Sequence, residues 1–576
     1  MAESDVGTKP PGAREFTLRA VIAGMVVAAI MGASYPYVVL KLGFGPNVSV
    51  VSAFLGYLFL GIIFRNYTRW ENNVVQTAGT SAAQTAFMCA ILAAFDLVSQ
   101  NPHLNYSFAP TPFQAFLWLT FGSLLGILMA VPLRNHYVVD EKLTYPDGVA
   151  AAETIMVLDA RGEEARAGAW ALGLGAVASA LVWLLTTKWG GSVLPEIVLA
   201  TMFGLAVPAV QAGFSVSFLA IGSGMIVGNR INISMAIGAV IAWIIGPRFL
   251  VPDIVAKADR NSILLWMMWP GVGMLIAAGL TSLALKWRTL ARSFTRLSGA
   301  SIESNEFPLK WVGIGIAVSS IGMLVVQYAF FDVPFWLTLI AILLSGPLML
   351  VGLRVLGETN WGPISQLTNV TQAIFAALAP GNLTTNLAMS GTAGTVAVQS
   401  EAIMQDYKTG HIIGSTPKFL TYSQLIAAPI GAAAVSLAYP LFKRTYGVGG
   451  EHGLSAPISR RIEGFAEVVS KGFDALPHYA MHALVVGVVV GILIALLETK
   501  WSKWVPSATG LGIGMMVPGN VVFSMCIGGL LYSLWRRVDG RSADRLGMPL
   551  ASGLIAGEAV MAIVIPILIA IGLISA

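Results

Sequence analysis

The sequence predicts an all-α integral membrane protein. Only 11% of the 576 residues are charged and 56% are hydrophobic, so the chain lacks the polar surface that a water-soluble fold of this length needs. Uncharged runs of about 20 residues, beginning with residues 20–40, are long enough to cross the hydrocarbon as helices. These runs are continuously apolar and lack the alternation of a transmembrane barrel, so the spanning elements are predicted to be helices.

The N-terminal end is predicted to be a cytoplasmic tail of residues 1–15. Lys9, Arg14 and Arg19 lie before or at the start of the first apolar run, and positive charge marks the cytoplasmic side. No cleavable signal sequence is recognised, so the first helix is expected to direct insertion. Loop 99–112 has no Lys or Arg and is predicted to be external. The net charge of +5 therefore reflects topology and not nucleic-acid binding.

An internal repeat divides the sequence into two related halves. Residues 217–243 and 507–533 align without a gap at a spacing of about 290 residues, and both contain G-x-G-M-x-V followed by Ser-Met-x-Ile-Gly. The segments 16–19 and 307–310 begin the two halves in a similar register. Matches in the same order along the chain favour a duplication over coincidence.

The repeat sets the predicted domain boundaries. The halves are residues 16–285 and 307–576, joined by a linker at 286–306 whose Lys and Arg residues indicate the cytoplasmic side. Because both halves then start in the cytoplasm, they are predicted to be parallel repeats related by an axis along the membrane normal. The basic loop 536–548 conflicts with this topology, and its side is left open.

Three apolar segments are interrupted by a proline or a glycine next to an asparagine, at residues 45–47, 380–382 and 518–520. Non-helical backbone is not tolerated against lipid. Each break is therefore expected either to line a cavity or to form a tight turn between two crossings. Breaks at matching places in two halves favour a carrier with alternating access over a channel.

Ionisable residues inside apolar sequence are candidates for a functional site. Glu153 lies in such a stretch, and the flanking charges Lys142 and Arg161 predict that residues 143–158 dip into the membrane and return as a re-entrant hairpin. A Glu that caps a short interfacial helix is the alternative. Burial disfavours the charged form of a carboxylate, so Glu153 is expected to exchange a proton near neutral pH.

Other carboxylates receive more ordinary interpretations. Glu71 lies close to two arginines and is interpreted as half of an interfacial salt bridge. Asp406 lies near Lys408 and His411 and is interpreted as a charge on a helix that reaches the cytoplasmic face. The sequence has no concentrated set of catalytic polar residues, so an enzyme is not predicted.

Several motifs resemble the bacterial members of the oligopeptide transporter (OPT) family. The run LTYPDGVAAAE at 143–153 is similar to the family's YPEG-x-A-x-AE signature, with Asp147 where Glu is usual. The run WENNVVQ at 70–76 resembles its NNIVQT segment. LAPGN at 378–382, followed by DYKTG at 406–410, matches its second-half block. The resemblance covers nearly the whole chain.

The resemblance implies about 16 transmembrane helices in two pseudo-symmetric halves, with broken or re-entrant helices, in the cell (inner) membrane. It also implies secondary active transport by proton-coupled symport of oligopeptides or peptide-like compounds. Uptake of a metal chelate by the same fold is one alternative, and a channel is another. The expected partners are a small-molecule substrate, protons and membrane lipid. A homo-oligomer is left open, and neither a cofactor nor a nucleic acid is expected.

These expectations select the residues of the site. A buried amide costs about 1–3 kcal/mol if it is unpaired, so Asn, Gln and Tyr are expected to line the path of a peptide-like solute. The candidates for proton coupling are Glu153, Glu358, Glu401 and Asp147. The candidates for substrate binding are Tyr145, Asn73, Gln76, Asn360, Gln366, Asn369, Asn382, Asn386, Tyr422 and Asn520. The segments expected to border a central cavity are 145–153, 358–369, 380–386 and 518–520. His478 and His482 are interpreted as part of a helix start, so no metal site is predicted.

Overall fold

The structure is a computed structural model. It describes residues 9–42, 48–64, 68–101, 104, 106–159, 163–186, 197–198, 213–214, 216–250, 306–359, 362, 364–448, 478–501, 504–517, 519–570 and 573, with scattered residues between 254 and 285 and between 454 and 466. Helices form nearly all of this part of the chain. A two-residue antiparallel pair, Ile197–Val198 with Gly213–Phe214, is the β-structure within it.

The helices described in the first half are α1 (Leu18–Leu42), α2 (Val48–Tyr57, extended by Leu58–Ile63), α3 (Arg69–Phe87), α4 (Cys89–Gln100), α5 (Pro112–Ala130, extended by Val131–Leu133 and Asn135–Asp140), α6 (Pro146–Asp159), α7 (Glu163–Thr186), α8 (Phe218–Val227), α9 (Asn229–Val240, extended by Ile241–Ile245) and α10 (Gly246–Leu250). Those of the second half are α11 (Leu309–Phe331), α12 (Phe335–Thr359), α13 (Ile364–Leu378), α14 (Leu383–Ile413), α15 (Pro417–Tyr446), α16 (Ala480–Trp501), α17 (Ala508–Met516), α18 (Gly519–Val538) and α19 (Gly540–Ala570).

The helices have the length and surface of membrane-spanning segments. In the part of the chain that the structure describes, nine helical segments are long and apolar enough to cross a membrane. Leu, Val and Ile side chains are exposed along α7, α11 and α16, which suits faces that contact lipid. The prediction of an all-α integral membrane protein is confirmed, and the total of about 16 crossings stays a prediction.

The helices form two groups, and each group takes helices from both halves of the sequence. In the first group α1–α5 pack with α11–α15, and in the second α7–α9 pack with α17–α19. Helix α6 lies between them, because it contacts α2 and α14 of the first group and α7 and α19 of the second. A small cluster of Val50, Ala150 and Ile226 marks this junction.

The repeated segments 217–243 and 507–533 cross each other reciprocally. Helix α8 packs against α18, and α9 packs against α17. A Cβ atom at Gly224 would overlap the carbonyl oxygen of Met525, and a Cβ atom at the equivalent Gly514 would overlap that of Met235. The same relation holds at a second pair of contacts, Gly238 with Leu511 and Gly528 with Ile221. Small residues allow this close approach, and the reciprocity confirms the predicted pseudo-symmetry.

The two halves begin at the same end of the molecule. Phe16 and Phe307 hold equivalent places in the repeat, and both rings contact Tyr422, with centroid distances of 6.0 Å and 5.3 Å. At the same end Arg134 forms an ion pair with Glu306, the last linker residue. This arrangement is what parallel repeats require, whereas the direction of the two-fold axis relative to the membrane stays a prediction.

The broken segments differ in kind. Residues 380–382 form an exposed turn between α13 and α14, with Gly381 at a φ of 76°, so the tight-turn interpretation applies there. Helices α8 and α9 are separated by Gly228, at a φ of 88°, and this is a true break within a crossing segment. Residues 45–47 and Pro518 lie outside the described residues.

The prediction of a re-entrant hairpin at residues 143–158 was wrong. Residues 146–159 form one uninterrupted helix, α6, so no hairpin turn lies within them. The chain enters α6 through Tyr145 at a φ of 41°, and the Tyr145 N–H donates to the Gly357 carbonyl oxygen over 3.1 Å. This bond fixes the start of α6 against the end of α12.

Candidate functional site

Helix α3 is polar along most of its length and yet almost completely buried. Thr68 caps it by accepting from the backbone N–H of Glu71, and the following turns carry side chains that an apolar bundle does not ordinarily hold. The buried uncharged polar residues of α3 are Asn72, Asn73, Gln76, Thr77, Thr80, Ser81 and Thr85. Because α3 packs against α1, α14 and α15, these side chains face protein and not lipid.

The centre of this polar region is the carboxylate of Asp406 on α14. Asp406 is fully buried. Gln76 Nε2 of α3 donates to Asp406 Oδ1 over 2.6 Å, and Gln424 Nε2 of α15 donates to Asp406 Oδ2 over 2.6 Å. Three helices from both halves of the sequence therefore meet at one carboxylate. The interpretation of Asp406 as a charge at the cytoplasmic surface was wrong.

The hydrogen bonds continue along α3 on both sides of Asp406. Gln399 Nε2 donates to the Ser81 carbonyl oxygen over 2.9 Å and to Thr85 Oγ1 over 2.5 Å. In the other direction Asn73 Nδ2 donates to Ser415 Oγ over 2.8 Å. The candidates Asn73 and Gln76 thus belong to the polar core, where neutral donors and acceptors could replace the water shell of a polar solute.

Glu401 lies on the same helix as Asp406 and faces α12. It is 5% exposed, and its carboxylate lies against Gly352 and Gly362, where a Cβ atom would collide with it. Glu401 Oε1 has no hydrogen-bond partner among the described residues. This candidate is therefore a second buried carboxylate of α14, directed away from Gln76.

The candidates on and before α6 have different environments. Tyr145 is fully buried and its hydroxyl donates to the Leu353 carbonyl oxygen over 3.0 Å, so in this structure the side chain is bound to α12. Asp147 lies in the first turn of α6. Glu153 is partly exposed, on the helix that separates the two groups. Of these three, Asp147 and Glu153 are partly exposed, whereas Tyr145 is buried.

The remaining described candidates lie apart from the polar core. Asn382 is exposed and caps α14 by accepting from the Thr385 N–H over 2.9 Å. Asn386 is buried and exchanges hydrogen bonds with Gln372. Tyr422 is 38% exposed and Asn520 begins α18 at the helix crossing. Asn369 is buried, and neither polar atom of its side chain has a partner among the described residues.

Three candidates fall outside the part of the structure that can be described. Asn360 is one of them. Glu358 and Gln366 lie in helices α12 and α13, but nothing is described of their side chains. The expected cavity border is therefore met only in part, since 380–382 is a surface turn and 145–153 lies at the junction between the groups.

Most other buried carboxylates have a charged or helix-terminal partner. Glu71 forms a salt bridge, as expected, but its partner is Arg19 and not one of the two arginines next to it in sequence, and the carboxylate is fully buried and not interfacial. The other ion pairs are Glu15 with Lys9, Asp96 with Lys443, and Glu141 with Arg354. Glu558 accepts from Ser217 Oγ and from the Leu219 N–H at the first turn of α8.

Sequence reasoning missed Asp406, Gln399 and Gln424 as members of one cluster. A signal was present, because residues 71–85 carry Asn, Gln, Thr and Ser at most positions in a chain that is otherwise apolar. A helix that is polar all round and still lies in a membrane bundle must bury those groups against polar partners.

Comparison with known proteins adds a family and relatives. A family model described as OPT oligopeptide transporter protein matches residues 15–569. The chain is 24% identical to the metal-nicotianamine transporter YSL2 of Arabidopsis thaliana, over 95% of this chain and 92% of that protein. It is 25% identical to YSL3 of the same plant, over 96% and 91%. It is 24% identical to the iron-phytosiderophore transporter yellow stripe 1 of Zea mays, over 97% and 93%.

Proposed function

Because the chain belongs to the OPT oligopeptide transporter family, whose members are membrane transporters and not enzymes, we propose that it is a secondary active transporter. In this proposal it moves a small peptide-like solute by symport with protons. The observation that carries the proposal is the polar core of α3, α14 and α15 inside an otherwise apolar bundle. Each buried polar group costs stability unless it finds a partner, so a polar core of this size in an apolar bundle favours a functional role.

Proton coupling is assigned to carboxylates within the bundle. Glu153 is partly exposed between the two helix groups, where a change in their packing would alter its contact with water. Glu401 is buried and has an unpartnered oxygen. A carboxylate that gains a proton on one side and loses it on the other would bias the carrier between two openings.

Transport of a metal chelate is the second candidate, and the relatives favour it. Proteins similar over more than nine-tenths of both chains are named metal-nicotianamine and iron-phytosiderophore transporters. Peptides and such chelates would both present polar groups to the Asn, Gln and Thr side chains of α3. The two solute classes therefore have to be separated by measurement.

The proposed location is the cell (inner) membrane with a cytoplasmic N-terminus. The end of the bundle where the N-terminus, the linker and the start of α15 meet carries Lys9, Arg14, Arg19, Arg134, Lys142, Lys310, Arg354 and Lys418. At the opposite end, residues 331–335 and 379–382 have no Lys or Arg, and the cations of the last turn of α15 are Lys443, which pairs with Asp96, and Arg444. The positive-inside rule supports a cytoplasmic position for the basic end.

Uptake into liposomes tests this proposal. Purified protein is reconstituted, and a labelled tripeptide and a labelled ferric chelate are offered in parallel, each with and without an inward proton gradient. The expected result is that the tripeptide accumulates above its equilibrium concentration when the proton gradient is present and does not when it is absent. Accumulation of the chelate alone selects the second candidate. Uptake of either solute that never exceeds equilibrium contradicts gradient coupling.

A further inference from the structure

We infer that Asp406, Gln76 and Gln424 form a buried binding site for a monovalent cation, either a proton or a sodium ion. The inference rests on the proposed function, because it names a further place, besides Glu153 and Glu401, where a coupling cation would bind. Three observations carry it: the lack of a charged partner for Asp406, the unpartnered amide oxygens around it, and its position between helices of both halves.

Asp406 and Glu401 stand apart from the other buried carboxylates of the described chain, and of the two only Asp406 accepts from two side-chain amides. Glu15, Glu71, Asp96 and Glu141 each pair with Lys or Arg, and Glu558 lies at a helix N-terminus, which favours negative charge. Asp406 accepts from two neutral amides and forms no ion pair with a described residue. A buried ion without a counter-charge costs several kcal/mol, so the site is stabilised when a cation joins it.

The oxygen atoms of the two amides that contact Asp406 lack a hydrogen-bond partner. Gln76 and Gln424 each use their N–H groups on the carboxylate, and Oε1 of each side chain is buried with no hydrogen bond to a described residue. A buried acceptor left without a donor costs about 1–3 kcal/mol. A carboxylate with nearby amide oxygens is the ligand set that hard cations prefer. The carboxylate and the unpartnered amide oxygens would therefore both be stabilised by the same ligand, a cation.

No charged side chain among the described residues contacts the Asp406 carboxylate. Among described residues, Asp406 has hydrogen bonds to Gln76 and Gln424 and lies beside Thr80, all of them neutral. The titratable and charged groups on α14 and on the described elements packed against it are Arg69, Glu71, Cys89, Asp96, Arg134, His136, Asp140, Tyr137, Asp147, Glu153, Asp159, Lys310, Tyr328, Arg354, Glu401, Tyr407, Lys408, His411, Lys418, Tyr422, Tyr439, Lys443 and Arg444. Tyr407, the nearest in sequence, shares its hydroxyl hydrogen bond with Thr421.

The position of the site gives the cation a mechanical consequence. Gln76 belongs to α3 in the first half, whereas Asp406 and Gln424 belong to α14 and α15 in the second. A bound cation would hold these helices together. Its loss would leave the buried Asp406 carboxylate charged, with neither a counter-charge nor water around it. Binding therefore favours the conformation in which the three helices meet, and a ligand with such a preference shifts the balance between conformations.

Thermal unfolding of the full-length protein in detergent tests the inference. The unfolding temperature is followed from acidic to alkaline pH in choline chloride, and separately as sodium chloride replaces choline chloride at constant ionic strength and alkaline pH. Wild-type protein is expected to be stabilised in one of the two series, because a ligand that binds only the folded state raises its stability. Stabilisation by acid identifies the proton, and stabilisation by sodium identifies the sodium ion.

Variants assign the effect to Asp406. Asp406→Asn is expected to lose the cation-dependent shift. Asp332→Asn makes the same chemical change at an exposed residue with a φ of 53°, a conformation that Asn tolerates, and should keep the shift. The exchange of both groups, Asp406→Asn with Gln76→Glu, returns a carboxylate to the site and is expected to restore the shift.

Several results would overturn the inference. They are a wild-type protein that responds to neither cation, and an Asp406→Asn variant that responds like wild type. If that variant does not fold, a hydrophobic carbodiimide, which reacts with protonated carboxyl groups, is applied to wild-type protein and the Asp406 peptide is analysed by mass spectrometry. Modification that is independent of pH and sodium then contradicts the site. Uptake without gradient coupling in a protein that shows the cation shift contradicts the proposed function alone.

Discussion

At the scale of single residues, the proposed coupling role of Glu153 can be tested by neutralising its carboxylate. Glu153→Gln mimics the permanently protonated side chain, so we expect uphill accumulation to be lost while exchange of labelled for unlabelled solute continues. Gradient-driven uptake and counterflow in liposomes measure the two activities. A Gln variant that still concentrates solute under a proton gradient removes Glu153 from the coupling mechanism.

The Arg19–Glu71 pair allows a second test at this scale. Glu71 is fully buried and also accepts from Thr17 Oγ1 over 2.5 Å, so Arg19→Met leaves a buried carboxylate without its counter-charge. We expect a loss of about 3 kcal/mol in the free energy of unfolding. The double variant with Glu71→Gln should recover much of this loss, as a thermodynamic cycle in detergent would show. Equal stability of Arg19→Met and wild-type protein would mean that the pair contributes nothing.

At the scale of helices, α8 and α9 cross α18 and α17 so that Gly224 and Gly514 have the same packing environment. We expect Gly224→Ala and Gly514→Ala to destabilise the protein by similar amounts, about 1–3 kcal/mol each, because each new methyl group meets a backbone carbonyl. Gly313→Ala is the matched control, since no atom lies within 4 Å of a Cβ there. The measurement is thermal unfolding in detergent. Tolerance of one substitution and not of its equivalent would contradict the reciprocal packing.

The helices themselves were largely predictable, whereas the polar core was not. Uncharged runs indicated the spanning helices, and the gapless repeat at 217–243 and 507–533 predicted the pseudo-symmetry. Asp406, however, is joined to Gln76 across 330 residues of sequence, and no local pattern reports such a contact. Lys408 and His411 suggested that Asp406 also lies at the surface. That inference failed because sequence neighbours in a helix point in different directions.

The breaks show why similar motifs had different outcomes. Residues 380–382 and Gly228 both interrupt apolar sequence, yet the first forms an exposed turn and the second divides a crossing segment. The difference depends on which helices pack around each break, and that is a property of the tertiary fold. The repeat was the better guide, because it pairs residues 227–229 with 517–519.

At the scale of the whole molecule, two halves that begin at the same end predict from which side of the membrane single cysteines can be labelled. In a variant without Cys89 and Cys526, single cysteines at Ser4 and Ser301 should react with an impermeant maleimide only after the cells are permeabilised. A cysteine at the exposed Ser107 should react in intact cells, because loop 99–112 is predicted to be external. Labelling of Ser4 and Ser301 variants from opposite sides would rule out parallel halves.

The reciprocal crossing also has a consequence for biosynthesis. The glycine-lined faces of α8 and α9 find their partners only when residues 507–533 have been made, about 290 residues later. At about 5–20 residues per second, a ribosome leaves these faces unmatched for tens of seconds. During that interval the nascent chain depends on lipid or on the insertion machinery to cover them. Chains that terminate before residue 507 should therefore be cleared by membrane quality control, even though most of their helices have already been inserted.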